Sequence, residues 1–243
     1  MELADQISQN HLRKMALQQK MDRSKRATNP DNFNENKTIR RGIKLHWYYS
    51  NHYKKLRGKV RELERKNADI RKYQHTCLAN YILSLGTEIY IEQMNFKGLQ
   101  ARAKETTYNK NGRANRKKRF GKSIANRAPA MLVTILETKL KSYAGTELHK
   151  VNTWEYRASQ YDHTADTYTK KLLHQRWAEL GNGDKIQRDL YSAFLLMNSQ
   201  PSLQATDRNQ CIKTYAPFKV LHDQEIYRIK QSSTKQLSSF GIA

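Results

Sequence analysis

The chain is short of cysteine, of acidic residues and of long apolar runs, and each shortage excludes something. Its two cysteines, Cys77 and Cys211, stand alone, so neither a disulfide framework nor a cysteine-based zinc site is available. Cys77 lies in an apolar helical stretch and reads as a core residue. No apolar run approaches the roughly 18 residues that a membrane span requires. The opening stretch MELADQISQNHLRK lacks the basic-then-apolar layout of a secretory signal. A cytoplasmic protein is the expectation. The acidic deficit is the largest of these features: 22 Asp and Glu face 45 Lys and Arg, a formal charge of +23 over 243 residues. The excess is spread along the chain, so it is not a single basic tail. A folded protein carrying it repels itself unless a polyanion neutralises it. Nucleic acid is the natural partner. An anionic membrane surface would call for a basic amphipathic helix with a continuous apolar face, and none is evident.

The length suits one or two domains with a proper core. Residues 1–28 read as a short basic helix, with Leu12, Met15, Leu17 and Met21 turned inward. The Asn-, Pro- and Gly-rich stretch from Arg26 to Gly42 reads as a loop. From Lys44, an apolar stripe through Tyr49, Tyr53, Leu56, Val60, Leu63 and Ile70 predicts a long helix that ends at Gly86. Its other faces carry charges mostly of one sign. Arg57, Lys59, Arg61 and Arg65 are therefore candidate nucleic-acid contacts, although such runs are more often a solvated helix face. The period then changes to an alternating run, Thr87 to Glu92, which reads as a strand. Residues 97–127 read as a basic loop whose Arg113, Lys117, Lys118 and Arg119 extend the candidate interface. A helix from Met131 to Tyr143, a strand from Glu147 to Val151, a polar irregular stretch over 157–185 and a helix from Asp189 to Met197 follow. From Ser199 onward the chain reads as an irregular C-terminal tail. The middle of the chain is an α/β segment.

Two acidic residues stand out by position. Glu92 closes the first strand, and Asp189 opens the last helix of this segment. Taken singly, the first is an ordinary exposed charge and the second a helix-dipole partner worth about 1 kcal/mol. Taken together, and in their surroundings, they resemble something specific. IYIEQMNFKGLQ (89–100) resembles the second motif of the RuvC-like nuclease domain in the TnpB family, the RNA-guided endonucleases of insertion sequences. RFGKSIANRAPAMLVTILETKLKSY (119–143) looks like the helix after that motif, and KKLLHQRWAELGNGDKIQRDLYSAFLLMN (170–198) like the third motif and its flank. Upstream, LQQKMDRSKRATNPDNFNEN (17–36) and ADIRKYQHTCLANYILSLG (68–86) also resemble the family. The resemblance covers roughly residues 1–198. It implies a partial RuvC-like, RNase H-like domain over 76–198, with a basic helical arm over 1–75 and a tail over 199–243. It also implies Glu92 and Asp189 as ligands of Mg²⁺, which in a two-metal site activates water and stabilises the leaving oxygen of a phosphodiester. Arg188 would lie beside the scissile phosphate, or serve only as a surface charge.

The sequence departs from the family pattern in two ways. The first motif, a strand with an essential Asp, is not matched; Asp5 lacks a preceding β-run and is rejected as its equivalent. The region where the family often carries two Cys-x-x-Cys pairs, about 157–185, contains no cysteine, so no zinc is expected. Asp162, His163, Asp166 and His174 have no standard closed-site spacing and read as a solvated loop. Trp47, Trp154 and Trp177 suit either base stacking or core packing. The expectation is a protein that binds DNA and guide RNA, with a transposase of the same element as a further candidate partner, and that does not cleave as given. The alternatives are a nuclease-dead RNA-guided repressor or accessory module, a nuclease half completed by another chain, and a ribosomal or structural RNA-binding protein. In each, affinity for a labelled oligonucleotide is expected to fall about a thousandfold between about 50 and 200 mM salt through counterion release. A nearly flat salt titration would count against the basic surfaces as the contact.

Overall fold

The computed structural model describes residues 3–101, 104–115, 120–142, 146–172, 174–231 and 240–242. Among them, helices and three small sheets form two compact units: one is 1–81 with 126–132, the other 82–125 with 133–243. No helix of the described residues is long and apolar enough to cross a membrane.

The first unit is built on two long helices, α1 (Leu3–Thr28) and α2 (Asn51–Leu85). Their contacts run in opposite directions: Asn10 donates to Asn67 at 2.9 Å, Lys14 pairs with Glu64 at 2.6 Å and Ser24 meets Ser50 at 2.8 Å. The two helices are therefore antiparallel. Helix α1 turns a mixed seam toward its neighbour: Leu17 and Met21 are half-buried as expected, whereas Leu12 and Met15, also expected inside, are exposed. Polar residues such as Asn10 and Lys14 take part in the seam, which blurs its 3.6-residue apolar signal. Helix α2 begins at Asn51 rather than Lys44, because the Ser50 hydroxyl accepts the Tyr53 N–H and caps it. Leu56 and Val60 are buried as the stripe predicts. Cys77 is exposed, against expectation. Asn29 closes the loop between the helices, its amide bonding both the N–H and the carbonyl of Tyr48.

In the second unit, β1 (Ile89–Glu92) pairs in parallel with β2 (Leu148–Val151), Glu92 standing opposite Val151. Parallel neighbours need a long crossover. Here it contains α3 (Phe96–Gln100), α4 (Phe120–Arg127) and α5 (Pro129–Ser142). The stretch 97–127 is thus not all loop. Beyond β2 come the short turn α6 (Thr153–Tyr156) and two hairpins. The first pairs β3 (Tyr161–Asp162) with β4 (Thr167–Tyr168), and the second β5 (Trp177–Glu179) with β6 (Lys185–Gln187). The expected irregular region is therefore ordered. Helix α7 (Arg188–Met197) follows, and then α8 (Arg208–Gln231), where an irregular tail was expected. The tail reading failed because α8 is polar on most faces and carries Pro217 inside it. What holds α8 is tertiary: Cys211, His222 and Ile226 are buried, and Phe218 stacks on Phe194 at 4.3 Å.

The core gathers Val151, Tyr156, Ile186, Tyr191, Phe194 and Leu195, all nearly inaccessible. Tyr156 is a buried phenol with a full set of partners: it donates to the Leu195 carbonyl at 2.6 Å and accepts from Ser199 and Thr206. Phe194→Ala is expected to lower the unfolding free energy by about 3–5 kcal/mol. Urea denaturation of the two proteins measures it, and a loss below about 1 kcal/mol would mean that α7 and α8 do not share this core.

Candidate functional site

Glu92 and Asp189, far apart in sequence, meet on the wall of one cleft of about 490 Å³ in the second unit. Strand β1 brings Glu92 to its C-terminal end, and the ladder continues one bond further, Gln93 N–H to Val151 carbonyl at 2.8 Å. Helix α7 packs on β1 and turns its first residues to the same cleft, so Arg188, Asp189 and Ser192 line it with Ile91, Glu92 and Met94. Glu92 is half-buried. Burial, and then the negative charge of Asp189, hold its carboxyl above the ordinary range, with Arg188 acting in the opposite sense.

Asp189 is not the cap of its helix. That role belongs to Gln187, whose side-chain Oε1 accepts the N–H groups of Asp189 and Leu190 at 2.7 and 2.9 Å. The amide nitrogen of Gln187 donates to Asp189 Oδ2 at 3.2 Å and to the Phe240 carbonyl at 3.3 Å. The cap thereby orients the carboxylate. Glutamine is an uncommon N-cap residue, so the sequence carried no signal for it. The backbone N–H of Gln187 donates to His222 Nε2 at 3.0 Å, and His222 Nδ1 meets Asp223 at 2.8 Å. His222 lies in the stretch read as tail, and it too was missed.

Arg188 reaches the carbonyls of Leu172 and Gln175 through Nη1, both at 3.4 Å. Its Nε is buried without a hydrogen-bond partner among the described residues. A buried N–H of a cation at an acidic cleft suits an anionic oxygen such as a phosphate. Glu92 and Asp189 supply hard oxygen donors, and Mg²⁺ commonly takes one or two carboxylates and keeps its remaining waters. The pair fits one such ion. No group of three or more His, Cys, Asp and Glu able to hold a metal occurs among the described residues, whereas a two-metal centre needs more acidic ligands than this pair.

The basic candidates are distributed differently. Arg57, Lys59, Arg61 and Arg65 are exposed along α2 in the first unit. Arg65 is engaged by Glu62 and Asp69 at 2.8 and 2.7 Å, so it offers less to a phosphate than its exposure suggests. Lys59 lines a groove against α1, and Arg113 is exposed in a turn of the second unit. Lys117, Lys118 and Arg119 lie outside the described residues.

The solvated-loop reading of Asp162 and His163 is corrected. Asp162 accepts hydrogen bonds from the N–H and hydroxyl of Thr164 and from the Gly181 N–H, tying the two hairpins together. Burial would raise this carboxyl, but those bonds hold it below the ordinary range. His163 is buried, its Nδ1 2.7 Å from the Tyr191 hydroxyl, with its ring against Tyr215. Burial holds it below the usual histidine range. Of the tryptophans, Trp47 lies under Lys25 at 3.7 Å, Trp177 donates to the Gly241 carbonyl at 2.8 Å, and Trp154 is 89% exposed.

A carboxyl that ionises less readily in the folded chain binds more protons folded than unfolded. Stability therefore falls as pH rises from the ordinary carboxylate range through the raised folded value, and stays lower above it. Glu92→Gln is expected to raise the melting temperature near neutral pH, with no difference in acid below the ordinary range. Thermal melts at the two conditions check this; a lower melting temperature for the variant near neutral pH would mean that the carboxylate is favourably paired.

Compared with known proteins, the chain matches no family model and no curated protein sequence.

Proposed function

We propose that the chain is a TnpB-like, transposon-associated protein derived from an RNA-guided DNA endonuclease. It binds RNA or DNA through its basic surfaces, and as this 243-residue polypeptide it does not cut DNA. One observation carries the reading: the two acidic residues singled out by the resemblance line the same cleft, together with Arg188. A chance pair of surface carboxylates has no reason to converge. The parallel strands joined by a helical crossover, with α7 packed against them, are consistent with a partial RuvC-like domain. In such a domain Mg²⁺ bound by Glu92 and Asp189 would polarise a phosphodiester, and Arg188 would face its charge. The pair alone lacks the further carboxylate that a two-metal reaction uses.

A second reading is favoured by the sheet itself. Among the described residues β1 and β2 form a two-stranded parallel sheet. Parallel sheets in α/β proteins usually have more strands, covered on both faces. A nuclease half, completed by a strand and a carboxylate from another chain, accounts for this as well. The same binding surfaces without completion describe a repressor or an accessory to a transposase.

Purified protein incubated with plasmid, guide RNA transcribed from the same element and Mg²⁺ distinguishes these. The expected result is retention of nucleic acid with the plasmid intact. Cleavage that disappears on Glu92→Ala would overturn the inactivity and support a working nuclease, whereas failure to retain either RNA or DNA would remove the whole reading. Mn²⁺ binding followed by electron paramagnetic resonance is expected to weaken about tenfold or more on Glu92→Gln or Asp189→Asn.

A further inference from the structure

We propose that the turn Asn152–Arg157 is a stacking site for an unpaired base of a single-stranded nucleic acid, with Trp154 against the base and Arg157 on the neighbouring phosphate. The inference rests on the nucleic-acid-binding reading above and adds to it a particular site and the form of ligand it takes.

Trp154 is the most exposed of the large hydrophobic side chains among the described residues, at 89%. An exposed indole offers a flat aromatic face on which a base can stack. The turn is firmly held. Asn152 accepts the Trp154 N–H at 3.0 Å, and Tyr156, two residues beyond, is anchored in the core by three hydrogen bonds. The ring is thus presented from a fixed support, so little ordering is required when it is covered.

Arg157 supplies the second observation. It closes the turn in the left-handed conformation, at φ 49° and ψ 40°, where glycine or asparagine is the usual occupant. An arginine kept at a position that disfavours its Cβ has a reason to be there other than the backbone. Its guanidinium lies over the Tyr168 ring at 4.7 Å. Stacking occupies the face of a guanidinium and leaves its N–H edge for a phosphate. Trp154 lies within the short turn and Arg157 caps it three residues on, so the two side chains leave the same short segment of chain.

The location suits the ligand. The turn starts just after Val151, which pairs with Glu92, and ends just before Ser159, which lines the cleft with Glu92 and Asp189. A base on Trp154 would therefore lie on the segment that joins the end of β2 to the cleft wall at Ser159. Only an unpaired base exposes both faces to a side chain; a duplex buries them. With a chain charge of +23, an anionic polymer is the partner that also answers the electrostatics.

The test compares wild type, Trp154→Ala and Trp154→Phe for binding to a labelled oligothymidine, an oligouridine, the abasic counterpart of the oligothymidine and a duplex. Trp154→Ala is expected to weaken oligothymidine or oligouridine binding about tenfold, with Trp154→Phe within about threefold of wild type. Duplex and abasic affinities are expected to stay unchanged, and so is the melting temperature, since the ring is exposed. Which of the two oligomers responds more tells DNA from RNA. Wild type that binds single strands while Trp154→Ala binds them equally well overturns this proposal and leaves the broader reading standing. Wild type that binds none of the probes overturns both. An equal loss on duplex and single strand, or a change in oligomeric state by gel filtration without a change in oligothymidine affinity, also overturns the stacking role.

Discussion

The second unit depends on one buried amide. Gln187 is fully enclosed, and all of its hydrogen-bonding capacity is used: two acceptances from the first turn of α7, and donations to Asp189 and to the Phe240 carbonyl. A buried amide left partly unpaired costs about 1–3 kcal/mol per group, so each of these partners is fixed by the others. The backbone N–H adds His222 to the set. Because His222 Nε2 accepts that N–H, its proton resides on Nδ1 and is donated to Asp223. A single residue thus joins the end of β6, the start of α7, the middle of α8 and the orientation of the cleft carboxylate.

What the sequence made legible were elements whose burial is one-sided and regular. The apolar spacing of Leu56 and Val60 announced α2, the alternation before Glu92 announced β1, and the clustered apolar residues from Leu190 to Met197 announced α7. The two carboxylates were legible through the motifs around them, and no periodicity pointed to either. Elements stabilised by polar contacts were not legible. The inward seam of α1 is built on Asn10, Lys14 and Ser24, and the hairpins near Asp162 are held by side-chain-to-backbone bonds. Such contacts leave no hydrophobic period. Helix α8 was hidden for a related reason: the face it docks, Cys211, Tyr215, Phe218, His222 and Ile226, mixes polar and aromatic residues, and no repeated leucines mark it.

The acidic residues that exist are largely spent within the chain. Glu62 and Asp69 hold Arg65, Glu64 holds Lys14, and Glu225 holds Arg228. Exposed pairs of this kind contribute little to stability, because water screens them. They do set which cations remain for a polyanion. On α2, Arg57 and Arg61 share a face with Arg65, so a phosphate backbone following that face competes with Glu62 and Asp69 only at its far end. The charge imbalance is thus a surface property layered on an ordinary core, and the fold does not rely on it.

The two cysteines occupy opposite environments. Cys77 is exposed on α2, while Cys211 is enclosed on the inner face of α8, its thiol pushed up to about 12 by burial and by Asp207. Only a thiolate reacts appreciably with alkylating reagents. In the native protein a maleimide dye therefore attaches at one place, and slow incorporation of a second dye is a clock for α8 lifting away from the aromatic cluster below it.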